Sequence, residues 1–231
     1  DAKSEVDLTR LARRLVNAVP PALIAGSAGI SVALADEMSA DRMLRKESVI
    51  GPGDRGRRVF IVTASQRTIV EKQLAVLGSS IDLVLAELSL DEVLRGVDDE
   101  SIAQMKELAK KDGVVVLKLS GAEASLGVTK DQTIALSKTI VQNLGSAVRK
   151  ITNEVKLDTL IVIGGDTASG VIEACGVASL ELQGELQPGT VSGVALDGSI
   201  TDSLLITRSG GFGGEHALLE LVTLLEFGHN V

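Results

Sequence analysis

Hydrophobic and polar residues follow two alternating periods along most of this chain. Val6, Leu8, Leu11, Leu15 and Val16 recur at largely helical spacing, which predicts a helix over 5–18 ended by Pro20-Pro21. A short apolar strand (ALIA, 22–25) then runs into a Gly-Ser-Ala-Gly turn, with a helix over 29–45. The polar stretch GPGDRGRR (51–58) reads as a loop with Arg55, Arg57 and Arg58 in solvent. Beyond it, RRVFIVT (57–63), IDLVLAEL (81–88) and VVVLKLS (114–120) read as strands, with helices over 67–78 and 98–111 between them. A long helix over 130–154 places Ile134, Ser137, Ile140, Val141, Leu144, Val148 and Ile151 on one face. LDTLIVIGG (157–165) is almost uninterruptedly apolar, as a strand buried on both faces of a parallel sheet must be.

This alternation predicts an α/β fold, a mostly parallel sheet flanked by helices and joined by right-handed crossovers. After Gly176 the texture changes. SLELQGEL (179–186), TVSGVAL (190–196) and SLLITRS (203–209) form a β-rich segment near the C-terminus, antiparallel in part, before a last helix over 214–227. No repeat, low-complexity tract or linker interrupts the pattern, so a single domain over 1–231 is expected.

Composition narrows the function classes. The chain has 45% hydrophobic residues but only three Phe and no Tyr or Trp, so the core is built from Val, Ile, Leu and Ala. Aromatic stacking platforms for single-stranded nucleic acid are therefore excluded. A net charge of −8 argues against neutralising a polymer of phosphates, so no nucleic-acid partner is expected. A small anion remains open, because backbone N–H groups bind phosphate locally. Cys175 is the only cysteine, which rules out an internal disulfide and fits a reducing cytoplasm. No apolar run approaches the roughly 20 residues that span a bilayer, so no membrane partner is expected.

The candidate chemistry lies at strand ends. AlaGlySerAlaGly (25–29), ThrAlaSer (63–65) and GlyGlyAspThrAlaSerGly (164–170) each follow a β run and precede a helix. ThrArgSerGlyGlyPheGlyGly (207–214) has the same placement. In parallel sheets, ligands bind beyond the carboxyl ends of strands, where unpaired N–H groups and helix dipoles favour phosphate. Gly164 and Gly165 remove side chains where a ligand could approach; Asp166 and Thr167 either cap the next helix or face the ligand and its Mg²⁺. Around Gly210 and Gly211 the backbone is free to wrap an anion, and Arg208 offers a fork for phosphoryl oxygens. The Walker A pattern and the protein-kinase motifs are absent, and no GxGxxG dinucleotide fingerprint follows a first strand. His216 and His229 read as surface residues, Asp98-Asp99-Glu100 as a helix cap, and Cys175 as core.

The ordered set Gly164–Ala168, GluLeuGlnProGly (185–189) and SerGlyGlyPheGly (209–213) resembles the C-terminal nucleotide-binding domain of the four-carbon acid sugar kinase family. That resemblance covers nearly the whole chain. It implies phosphorylation of an acid such as threonate or erythronate, with ATP and Mg²⁺ as cofactors. Nucleotide contacts would fall on Ser65, Gly164, Gly165, Asp166 and Thr167, and on Gly210 or Gly211, with Asp166 toward the metal. The chain departs from the family at Ala64, where Gly is usual, at Val70, where Thr is usual, and at Arg208, where Lys is usual; Gln73 matches. The family's preceding acid-sugar-binding domain, with its Asp-Asp-x-Thr-Gly-like segment, has no counterpart between Asp1 and Val231. Expected partners are therefore ATP, a small sugar acid, that N-terminal domain (from the same or a separate chain) and a second copy in a homodimer. Two alternatives stay open: a non-catalytic module that binds a nucleotide or a sugar-acid phosphate, and a structural subunit.

Overall fold

The structure, a computed structural model, describes residues 2–21, 23–40, 58–121 and 130–227. Contacts divide the chain into two compact units, Asp1–Val49 and Ile50–Val231, at a point where the sequence pattern marks no linker. Arg55, Arg57, His229 and the expected helical residues 41–45 lie outside the described residues.

The first unit holds two helices, α1 (Glu5–Val16) and α2 (Ala28–Ala40). Ser4 caps α1 by accepting from the Asp7 amide at 3.3 Å. Arg13 Nε bonds Glu37 at 2.8 Å and ties the helices together. Of the strand expected over 22–25, Ala22 lies outside the described residues and 23–25 carry no strand. So short an apolar run needs a neighbouring strand to satisfy its backbone groups as β structure, and none pairs with 23–25 among the described residues.

The second unit runs β1 (Arg58–Thr63), α3 (Thr68–Ser80), β2 (Leu83–Ser89), α4 (Leu90–Arg95), α5 (Asp99–Ala109), β3 (Gly113–Ser120), α6 (Lys130–Thr152), β4 (Thr159–Ile163) and α7 (Gly165–Ala174). It continues with β5 (Leu180–Gln187), β6 (Thr190–Ala195), β7 (Leu204–Arg208) and α8 (Ala217–Phe227). Its seven strands form one sheet in the order β2-β3-β1-β4-β7-β6-β5. β2, β3, β1, β4 and β7 are mutually parallel, while β5–β6 and β6–β7 pair antiparallel. The expected α/β architecture is thus present, with its antiparallel segment near the C-terminus. The sequence pattern missed α4, a six-residue helix too short to show a period; Ser89 and Glu92 give it a capping box.

Strand alternation sorts the core into two layers. Val59, Ile61, Val114, Val116, Ile161, Ile163, Leu204 and Ile206 pack with Val70, Leu74 and Leu77 of α3 and Leu218, Leu221 and Val222 of α8. Phe60, Val62, Val115, Leu117, Leu160, Val162 and Leu205 face the other way, against α5, α6 and α7. β4 is buried along its whole length, as its unbroken apolar run requires. Cys175 lies in the second layer, and Asp98 caps α5 by accepting from the Ser101 amide at 2.7 Å. Arg58 is not a solvated loop residue. It opens β1 and makes a bidentate pair with Asp158, at 3.1 Å from each carboxylate oxygen. His216 stands just ahead of α8 and is exposed.

Candidate functional site

The order of the sheet fixes where a site can form. β1 and β4 are adjacent and parallel, yet the chain leaves β1 toward α3 on one face and β4 toward α7 on the other. A crevice must open where two neighbouring strands send their chains apart. β7 lies beside β4 and is parallel to it, so its outgoing turn reaches the same edge.

The turns after these three strands are bonded to one another. The Gly164 amide donates to the Arg208 carbonyl at 2.8 Å, joining the β4 and β7 turns. Thr63, fully buried at the end of β1, donates its hydroxyl to the Ile163 carbonyl at 3.4 Å and accepts from the Ser65 amide at 3.1 Å. Gly210 lies against Ser65: a Cβ there would stand 3.1 Å from the Ser65 hydroxyl. At φ 110°, Gly164 adopts the backbone that lets the chain turn sharply into α7. A Cβ on Gly165 would meet nothing within 4 Å, so the main chain at the start of α7 borders open space.

That space is a cleft of about 390 Å³. Its polar end is made by Ser65, Gly164, Gly165, Asp166, Thr167, Ser209 and Gly210. Its other wall is mostly apolar, from Leu90, Leu119, Leu136, Ile140 and Val141, with Thr133 and Ser137 of α6 among them. These polar residues come from three separate segments of the chain, and the structure brings them together. Gly211 stands beside the cleft rather than lining it, because Arg67 occupies the neighbouring space; a Cβ on Gly211 would lie 2.9 Å from Arg67 Nη1.

Two arginines near the cleft lie differently from what the sequence pattern suggests. Arg208 was expected to face phosphate, yet it follows Leu204 and Ile206 at two-residue spacing and points into the α3/α8 layer, 3% exposed. Burial pushes its guanidinium below the usual arginine range. Arg67, which the pattern did not single out, is the cation that lines the cleft among the described residues. It stands at the N-cap of α3 and is exposed. Its signal in the sequence was slight: a lone arginine between a β1 turn and the next helix. The apolar wall was equally hidden, because Leu90 belongs to the missed α4 and Leu136 to the far end of a long helix.

GluLeuGlnProGly supports this site from beneath. Pro188-Gly189 turns the chain between β5 and β6, Gly189 at φ 72°, and Glu185 accepts from the Gly189 amide at 2.8 Å. The Gly189 carbonyl accepts from the Ser209 amide at 3.2 Å, and the Phe212 ring covers Gly189.

A switch-point cleft with glycine turns on one side and an aliphatic wall on the other is the signature of a nucleotide-binding α/β domain. The chain belongs to the family of the nucleotide-binding C-terminal domain, whose model matches residues 60–218, and the resemblance to four-carbon acid sugar kinases is borne out. It is 22% identical to a D-threonate kinase of Salmonella typhimurium over 98% of this chain and 53% of that protein. A D-threonate kinase of Bordetella bronchiseptica is 24% identical over 95% of this chain and 50% of its own length. The chain thus spans about half the length of the curated relatives it matches.

Among solved structures, a Haemophilus influenzae protein superposes with a TM-score of 0.67 at 17% identity, over 97% of this chain and 52% of that one. A Bordetella bronchiseptica domain, crystallised with citrate as a domain-swapped dimer, gives 0.59 at 22% identity over 98% and 52%. These two show the fold. Among the described residues no helix is long and apolar enough to cross a membrane.

Proposed function

We propose that this chain is the nucleotide-binding half of an ATP-dependent kinase acting on a hydroxyl of a four-carbon sugar acid, of threonate or erythronate type. The observation that carries this is the meeting of the turns after β1, β4 and β7 at one cleft, each presenting glycine or a small hydroxyl residue. The D-threonate kinase relatives support the substrate class. The apolar wall suits a nucleoside, and the polar end suits a chain of phosphates.

The fit can be argued residue by residue. Main-chain amides at Gly165, Asp166 and Thr167 begin α7, where N–H groups lack intrahelical partners and the dipole favours anions. Gly164 and Gly165 leave no side chain between them and a phosphate. Ser65 adds a hydroxyl, and Arg67 a planar cation for the terminal phosphates. Among the described residues no group of three or more metal-ligating side chains exists. Mg²⁺ does not need one, since it is usually held by one or two carboxylates together with substrate phosphates. Asp166 would be that carboxylate.

In the transfer, the acceptor hydroxyl oxygen forms the new bond to the γ-phosphorus as the bond from that phosphorus to the β–γ bridging oxygen breaks, and ADP leaves. Little covalent chemistry is asked of the protein; it holds the γ-phosphoryl group in line and offsets charge. The acceptor acid and its general base belong to an N-terminal acid-sugar-binding domain, in the same or a separate chain. A span of half the relatives' length supports that division, and the domain-swapped Bordetella structure supports a homodimer.

Isothermal titration tests the reading. ATP·Mg²⁺ should bind this chain, while threonate and erythronate should not. Absence of nucleotide binding would overturn the proposal, and turnover of a sugar acid by this chain alone would overturn the division into halves.

A further inference from the structure

The loop after β7 brings Ser209 and Gly210 to the cleft without a regular element to hold it, so something else must fix its course. Two buried side chains reach it from below. Arg208 Nη2 donates to the Phe212 carbonyl at 2.8 Å. Gln73, 1% exposed on α3, donates through Nε2 to the same carbonyl at 3.2 Å and to the Gly214 carbonyl at 2.9 Å. Gly213, at φ 80°, lies so close that a Cβ there would stand 2.7 Å from Arg208 Nη2. The loop is therefore wrapped around the guanidinium.

Arg208 is an unusual choice for a purely structural role. No bonded carboxylate neutralises it among the described residues; Glu220 acts on it only through space. Among the described residues its Nε and Nη1 have no hydrogen-bond partner. Thr190, paired opposite Arg208 in the ladder, and Gln187, opposite Thr190, likewise keep buried oxygens with no partner among those residues. Such a row is costly for an interior. What the row's one bonded donor accomplishes is the seating of Phe212, and with it the approach of Gly210 to Ser65.

We infer that Arg208 and Gln73 are positioning residues: a buried two-pronged clamp on the Phe212 and Gly214 carbonyls that holds the loop so that the backbone of Gly210 stays at the cleft. Their effect on nucleotide binding rests on the function proposed above; their effect on the loop does not. The Lys usual in the family at this position could supply a single donor to the same carbonyl, so Arg208→Lys is the conservative control.

The test pairs amide hydrogen exchange with titration of ATP·Mg²⁺, on the full chain and on Arg208→Met, Arg208→Lys and Gln73→Met. Exchange in 209–214 should quicken by about tenfold or more in both methionine variants while β1 and β4 stay protected, and ATP·Mg²⁺ affinity should fall by about tenfold. Arg208→Lys should restore both to within about threefold of the parent. Unchanged loop exchange in the methionine variants would overturn the clamp, as would exchange rising equally throughout the sheet. If Arg208→Met does not fold, Gln73→Met decides the question. If the parent chain binds no ATP, the nucleotide reading fails while the exchange data still judge the clamp.

Discussion

The amide of Gly164 reaches the carbonyl of Arg208 at 2.8 Å, so the turn that opens α7 and the turn that leaves β7 share one hydrogen bond. Neither turn can drift without the other. The cleft's polar end is therefore a joint construction of two strand ends separated by more than forty residues of chain, and changes at either should be felt at both.

Gly165 is the sharpest position to probe. Its φ is ordinary and a Cβ would meet nothing within 4 Å, so a side chain there enters the cleft rather than the protein. Gly165→Val should leave thermal stability nearly unchanged, costing about 1 kcal/mol or less. ATP·Mg²⁺ affinity, followed by titration calorimetry, should drop by at least about tenfold as the side chain displaces phosphate.

Arg67 should act through charge. Replacing it by Met removes the cation lining the cleft, and a charge-assisted hydrogen bond is worth about 1.5–3 kcal/mol. ATP should bind about tenfold or more weakly, whereas adenosine, which carries no phosphate, should bind as before. Equal loss for both ligands would place Arg67 outside the phosphate site.

Much of this architecture was legible in the chain. β1, β3 and β4 announced themselves as apolar runs, and the glycines at 164–165 and 210–214 marked the turns that meet. What stayed hidden depended on neighbours. Leu23, Ile24 and Ala25 have the composition of a strand but no strand partner among the described residues. Leu90 and Leu136 come from different elements, so no local period reveals that they share a wall. Arg208 looks suited to phosphate in sequence; only alternation along β7, set by which layer Ile206 enters, turns it inward.

Arg58 and Asp158 supply a pH-dependent contribution to stability. Burial alone would raise the Asp158 carboxyl, but the hydrogen bonds and charge of Arg58 outweigh it and hold it below the ordinary range. A carboxyl with a depressed folded-state value stabilises the fold above its unfolded value, about 3.9, and loses that contribution as pH falls further through the folded value. Asp158→Asn should be less stable than the parent at pH 7, and the gap in urea midpoint should close below about pH 4. A gap independent of pH would show that the pair contributes nothing through its charge.

Gly145 on α6 meets the main chain of Gly170 on α7, and a Cβ on Gly145 would stand 2.5 Å from the Gly170 carbonyl oxygen. Gly145→Ala gains up to about 1 kcal/mol of helix propensity. Overpacking costs about 1–3 kcal/mol, and a backbone carbonyl yields less readily than a side chain. The clash should win, and denaturant unfolding should show a net loss of about 1–2 kcal/mol.

That same crossing has a mechanical meaning. Ile140 and Val141 ride on α6 and the Gly165–Thr167 turn rides on α7, so two helices in backbone contact carry different parts of the cavity wall as one unit. Width there is set by the absence of two methyl groups, not by rotamers that can adapt. Any opening or closing has to come from the other walls, the β1 and β7 turns and the side of Leu90 and Leu119.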